Sequence, residues 1–231
     1  MTRTDLPPIY DRIAKRFETR HHRYYTRCKM RMDPLYRAVH AKLAGSPLPL
    51  LDIGCGLGIL AFFLKELGYR GEIDGIDYDA PKIATGSRVA ASHYPDVRLA
   101  VGDAREKRTF QGNVTLLDLL QFFEKEEQET VLRNAAACVA PGGSLIVRNC
   151  LNDGSWRFQI TRAGDVFSRM TRWMKGSPVF YPTRESILAT LAPLGFTAEI
   201  EPLHGRMPLS NYLLTFRRRG AQEPGDGRTN A

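Results

Sequence analysis

The chain has 231 residues, a net charge of +8 and 43% hydrophobic side chains, which fits one soluble domain with a core large enough to fold alone. No apolar run reaches the roughly 18 residues of a membrane span, Met1-Thr2-Arg3-Thr4-Asp5 lacks an apolar signal core, and Cys28, Cys55, Cys138 and Cys150 form no CxxC pair. These features exclude a zinc ribbon or disulfide framework and lead to the expectation of a reducing cytoplasm.

Charge is unevenly spread. Residues 1–45 carry 11 basic and 4 acidic side chains, residues 46–150 carry 11 and 14, and residues 151–181 carry 5 and 2. In the first segment Ile9, Ile13 and Phe17 recur at helical spacing. A run rich in rings and cations follows: His21, His22, Arg23, Tyr24, Tyr25, Arg27, Lys29 and Arg31.

Leu50-Leu51-Asp52-Ile53 reads as a buried strand that enters Gly54-Cys55-Gly56-Leu57-Gly58, with residues 59–64 opening a helix. Such a turn lets backbone approach a ligand closely, and the helix behind it offers free N–H groups and a positive dipole end. The spacing is G-x-G-x-G, whereas a dinucleotide fingerprint wants G-x-G-x-x-G. The Asp52 carboxylate in front would repel a pyrophosphate but accept an amino-acid end or a sulfonium. That points away from NAD and toward S-adenosylmethionine. Cys55 fills a slot that needs only a small residue.

Further strands fall at the right intervals. Residues 72–77 end in Asp77, an acid placed to take ribose hydroxyls, with Tyr78 next. Residues 97–104 end in Gly102-Asp103-Ala104, where Asp103 suits the exocyclic amine of adenine. Residues 114–120 form a fourth apolar run before Gln121. Residues 126–139 have helical spacing, Pro141-Gly142-Gly143 ends them, and residues 144–147 start a fifth strand. Residues 156–174 read as a basic amphipathic helix in which Phe158, Phe167, Met170, Trp173 and Met174 alternate with Arg157, Arg162, Arg169 and Arg172. Such a helix suits nucleic acid, a membrane surface or an acidic partner, or simply forms a solvated cap. Residues 197–201 and 211–216 are the last strands, joined by a loop with His204 and Arg206. Residues 217–231 are polar and glycine-rich and are expected to be disordered.

This order of elements resembles the class I S-adenosylmethionine-dependent methyltransferases. Residues 52–58 match their first motif, Asp77 the ribose acid, Gly102-Asp103 the adenine-side acid, Leu117-Asp118-Leu119-Leu120-Gln121 the fourth motif, and Ala140-Pro141-Gly142-Gly143 the turn before the fifth strand. The likeness covers roughly residues 46–150 closely and 182–216 more loosely. It implies an α/β fold: a Rossmann-like seven-stranded, mostly parallel sheet with helices on both faces. Residues 1–45 would be an N-terminal helical cap, 46–216 the cofactor-binding domain with a cap insert at 151–181, and 217–231 a tail. The implied cofactor is S-adenosyl-L-methionine, with S-adenosyl-L-homocysteine as product. Its site would comprise Tyr10, Asp52, Gly54, Cys55, Gly56, Gly58, Asp77, Tyr78, Gly102, Asp103, Ala104, Asp118 and Gln121. No metal cluster is apparent.

The acceptor is less defined. His204, His21 and His22 are the base candidates, with His204 and His22 preferred, whereas His40 and His93 suit structural or exposed positions. Gln121 stands where many relatives carry a histidine, which removes one obvious base. Residues 24–36 with residues 156–158 are similar to bacterial methyltransferases of aryl-polyene-type pigment pathways. That similarity implies O-methylation of a small aromatic or acyl acceptor, with an acyl carrier protein as a carrier whose acidic surface answers the basic cap. RNA methylation is the alternative class, supported by net charge. It is opposed by the absence of an N/D-P-P-Y/F motif and of an OB or KH segment. A cofactor-binding protein without turnover is a third.

Overall fold

The computed structural model describes residues 6–170, 180–204 and 209–218, without the side chains of 164–170. Phe167, Arg169, Met170, Arg172, Trp173, Met174 and Arg206 therefore lie outside the described side chains, as does the chain after Arg218. One seven-stranded sheet runs in the order β3-β2-β1-β4-β5-β7-β6. Its strands are β1 (Leu50–Ile53), β2 (Ile73–Asp77), β3 (Val97–Val101), β4 (Asn113–Leu117), β5 (Ser144–Cys150), β6 (Phe196–Pro202) and β7 (Asn211–Arg218). All neighbours are parallel except β7, which runs antiparallel to both β5 and β6. The expected fold is the observed one.

Strand alternation decides what each face carries. Leu50, Ile73 and Ile146 pack with α1 (Leu6–Lys15), α3 (Leu35–Leu43), α4 (Ile59–Glu66) and α5 (Ala80–His93). Leu51, Ile53, Ile76, Val114, Leu116, Leu145 and Val147 pack with α6 (Lys125–Ala137) and α8 (Arg184–Leu191). By the same period Asp52, Asp77, Thr115 and Arg148 fall on the first face, among otherwise apolar neighbours. The N-terminal segment forms α1, α2 (Arg20–Met32) and α3; Ile9, Ile13 and Phe17 are buried, as their spacing predicts. The insert begins as α7 (Trp156–Met170), with Phe158 buried and Trp156 exposed.

Several element ends differ from the sequence reading; the third strand, for one, stops at Val101 rather than at residue 104. The fourth strand stops at Leu117 rather than at residue 120, because Asp118 adopts φ 57° and leaves the extended path. The last strand runs through Arg218, so Arg217 and Arg218 pair with Thr197 and Phe196 of β6 instead of belonging to a tail. No helix among the described residues is long and apolar enough to cross a membrane.

At the amino end of the sheet, away from the glycine turn, Asn113 joins three elements. Its Nδ2 donates to Ser46 Oγ at 2.9 Å and Tyr69 Oη at 3.1 Å, and its Oδ1 accepts from Ser144 N at 3.1 Å. Asn113→Ala would strand buried partners, at a cost of about 2 kcal/mol. Denaturant unfolding should show that loss while calorimetry finds S-adenosylhomocysteine affinity unchanged. Equal loss of both would show that the two ends of the sheet are coupled.

Candidate cofactor site and the ion cluster beside it

The turn after β1 is held by the strand next to it. Gly54 N and Cys55 N both donate to Ile76 O, at 2.7 and 2.9 Å. Gly56 N then donates to Asp77 Oδ2 at 2.8 Å, and Asp79 N to Asp77 Oδ1 at 2.9 Å. Each Asp77 oxygen keeps further acceptor capacity, at 8% residue exposure. Gly56 has φ 57°, and a Cβ there would meet nothing within 4 Å, so this position faces open space. Gly54 has φ 84°, and a Cβ would press on Leu119 at 3.2 Å, so the first and fourth motifs touch. Gly58 caps α4 in the left-handed region. Cys55 is a packing residue whose thiol is pushed far up by burial and by Asp52 and Asp77.

The third strand delivers Gly102, whose N–H donates to Asp77 O at 3.1 Å. Asp103 follows, half-exposed and gripped by Arg105 through its backbone N–H and guanidinium. Those contacts hold its carboxyl below the usual range, so it is ionised and able to accept from an amine. Tyr78, directly after Asp77, is 64% exposed, and Ala104, directly after Asp103, is half-buried. Tyr10 has a buried ring, 6.1 Å from that of Phe63 on α4.

Asp52 is 2% exposed. Burial pushes its pKa up to about 6, against a hydrogen bond from Thr115 Oγ1 at 2.7 Å and with help from the charge of Asp77. Ionising it in the empty protein costs about 3 kcal/mol, taking 1.4 kcal/mol per pH unit. A cationic ligand group nearby recovers that cost; a phosphate would add to it.

Beside the turn, Asp118 follows β4 in a backbone conformation uncommon for a non-glycine residue. Its carboxylate pairs with Arg148 of β5, which is 5% exposed, and Arg148 also reaches Asp33 at 3.4 Å. Lys29 of α2 pairs with Asp33 at 3.2 Å and stands 4.0 Å from Asp118. Burial raises the Asp33 carboxyl, but Arg148 and Lys29 outweigh it and leave the group below its ordinary value. Tyr36 is driven well up by burial, with the Asp33 charge adding to it. Gln121 donates Nε2 to Asp118 O at 3.0 Å, and its buried Oε1 has no protein partner among the described residues.

The histidines are placed apart from this cluster. His22 packs its ring 6.1 Å from Phe17 near the start of α2, about 10 Å along the helix from Lys29. Burial holds its pKa low. His204 is exposed beyond β6, its ring 6.1 Å from that of Tyr212. No described hydrogen bond or ion pair joins either histidine to Asp118. Sequence reasoning passed over Lys29, Asp33 and Arg148 as site residues; the available signal was an arginine directly following the apolar run 145–147.

Residues 50–143 match a protein-family model described as a methyltransferase domain. Those residues are a methyltransferase domain, and the sheet around them has the fold of the S-adenosylmethionine-dependent methyltransferases. A demethylmenaquinone methyltransferase of Thermus thermophilus is 26% identical over 182 residues, covering 72% of this chain and 82% of the relative. Among solved structures, the magnesium protoporphyrin IX methyltransferase of Synechocystis with bound S-adenosylhomocysteine has a TM-score of 0.66 at 16% identity. It covers 94% of this chain and all of that one. An O-methyltransferase from neocarzinostatin biosynthesis, solved with S-adenosylmethionine and 2-hydroxy-5-methyl naphthoic acid, has a TM-score of 0.60 at 15% identity, over 84% of this chain and 55% of that one.

The residues of the methyltransferase fit its cofactor. The open space at Gly56 lies beside an acid with spare acceptor capacity, Asp52 favours a cation over a phosphate, and the orphan Gln121 Oε1 offers an acceptor for an ammonium group.

Two measurements check the site. Asp77→Ala should weaken S-adenosylhomocysteine at least tenfold by calorimetry; an unchanged affinity would contradict the assignment. For Asp52 the folded pKa is raised, so its contribution to stability is present below the unfolded pKa of 3.8 and lost as pH rises through about 6. Asp52→Asn should therefore raise the melting temperature of the ligand-free protein at pH 8 and much less at pH 4, while weakening the cofactor. A variant less stable at pH 8 would contradict this.

Proposed function

We propose that the enzyme methylates oxygen on a small aromatic or acyl acceptor. The observation that carries this reading is the wall beside the glycine turn, where Lys29 and Asp33 of the cap meet Asp118 and Arg148 of the sheet. Tyr25 and Tyr36 lie close enough to exchange electrostatic influence with that cluster. Rings beside a fixed set of charges suit an aromatic acceptor bearing a polar or ionised oxygen. Relatives named for demethylmenaquinone and for a naphthoic acid ligand support this class.

When bound, the cofactor supplies a methyl group already activated on a sulfonium. The protein's own work is orientation: Asp77 and Asp103 hold one end, the Asp52 and Gln121 side chains the other, and the cap holds the acceptor in line and excludes water. An ionised acceptor oxygen needs no base. For a weakly acidic hydroxyl, His204 is the base we propose, because β6 runs parallel to β5 and its end opens at the ligand-binding edge. His22, packed against Phe17, is the weaker candidate.

The RNA reading is disfavoured by how the cap spends its charge. Arg12 and Arg16 pair with Glu66, Arg27 with Asp11, Lys29 with Asp33, and Lys42 with Glu199 and Glu201. Arg20, Arg23, Arg31 and Arg37 remain exposed, enough to meet the acidic surface of an acyl carrier protein, which we include as a carrier.

Labelled methyl transfer tests this directly. We expect product from hydroxyaromatic or carrier-bound acyl acceptors, with small free acceptors little affected between about 50 and 200 mM salt. Labelling of RNA alone, falling steeply over that range, would overturn the reading. His204→Asn should lower kcat by roughly 10²-fold on a weakly acidic hydroxyl with cofactor affinity intact; an unchanged kcat would exclude it as base.

A further inference from the structure

Lys29 is placed differently from the other members of its cluster. Arg148 lies almost wholly inside and reaches both Asp33 and Asp118, so each carboxylate already has a cation. Lys29 Nζ makes a close ion pair with Asp33 at 3.2 Å and a longer one with Asp118 at 4.0 Å, the second beyond hydrogen-bond reach. An ammonium carries three protons, so two have no protein acceptor among the described residues. The side chain is 33% exposed, so the cation is partly desolvated. The glycine turn is near: Asp118 precedes Leu119, and Leu119 is the residue that a Cβ on Gly54 of the turn would strike. Lys29, Arg148, Asp33 and Asp118 sum to zero charge. Within that balance Arg148 reaches both carboxylates, which leaves the spare protons of Lys29 for an anionic ligand group.

We propose that Lys29 Nζ is a carboxylate-binding group at the methyl-transfer end of the cleft. The carboxylate belongs either to the acceptor or to the methionine end of the cofactor. The inference rests on the cofactor-site reading and names a ligand chemistry for a residue which that reading leaves without a role. Arg148 sets the site by neutralising Asp118, which would otherwise repel an incoming acid. Lysine suits the task because a flexible stem lets one proton stay on Asp33 while the others turn to the ligand.

The test is calorimetry on the full chain for wild type, Lys29→Met and Lys29→Arg. S-adenosylhomocysteine is compared with 5′-methylthioadenosine, which lacks the carboxylate. With S-adenosylhomocysteine saturating, 1-hydroxy-2-naphthoic acid is compared with its neutral methyl ester. If the cofactor supplies the carboxylate, Lys29→Met weakens S-adenosylhomocysteine about tenfold and leaves 5′-methylthioadenosine unchanged. If the acceptor supplies it, S-adenosylhomocysteine is unaffected, wild type prefers the acid over the ester about tenfold, and Lys29→Met abolishes the preference. Lys29→Arg retains most of either effect. The 5′-methylthioadenosine affinity reports that the variant is folded. The proposal is overturned if S-adenosylhomocysteine is unaffected and the acid either fails to bind wild type or keeps its preference in Lys29→Met. A folded wild type that binds neither nucleoside would instead overturn the cofactor site.

Discussion

One guanidinium joins the N-terminal cap to the segment after the fourth strand. Arg148 sits near the carboxyl end of a central strand, on the face of the sheet that α1, α3, α4 and α5 cover. A buried arginine must be paired, and its two partners come from different regions. Asp118 belongs to the segment that follows β4, and Asp33 to the junction between two cap helices. Pairing Asp118 fixes a residue in a left-handed conformation, which turns the chain off the strand and lays Leu119 against the glycine turn. Pairing Asp33 fixes the cap over the same edge. The stability gained from such a cluster is small, because desolvation offsets attraction. What it provides is position.

The cofactor side works by a related economy of charge. Asp77 spends one lone pair on each oxygen to shape the turn and keeps the rest. Asp52 is kept under strain by burial, and a cation is the remedy. The site is thus tuned for a ligand with a positive end and no phosphate, a property that follows from two carboxylates rather than from the glycines. Asp103, clamped by Arg105, stays ionised.

Much of this was legible in the sequence because it is local. A strand, an acid, three glycines and a helix lie within residues 50–64, and the acids at 77 and 103 close the next two strands by simple spacing. The seven-stranded, mostly parallel sheet followed from the resemblance these motifs carry. What stayed hidden is what the chain assembles across distance. Lys29 and Asp33 are far in sequence from Asp118 and Arg148, and nothing in their spacing announces the contact. The start of the fifth strand was read from residues 144–147, and the arginine that follows them, Arg148, drew no role. Asp118 looked like a strand residue, since propensity does not reveal a positive φ. Histidines drew attention as bases by type; the structure sets His22 against Phe17 and leaves His204 exposed beside Tyr212 at the end of β6.

The central claim is that Arg148 holds the cap and the fourth motif together at the sheet edge. Hydrogen exchange read by mass spectrometry on wild type and Arg148→Met tests it most directly. The account predicts a selective loss of protection at residues 25–36 and 118–122, with α6, α8 and β6 unchanged. Uniform loss across the chain, or no change at the cap, would contradict it.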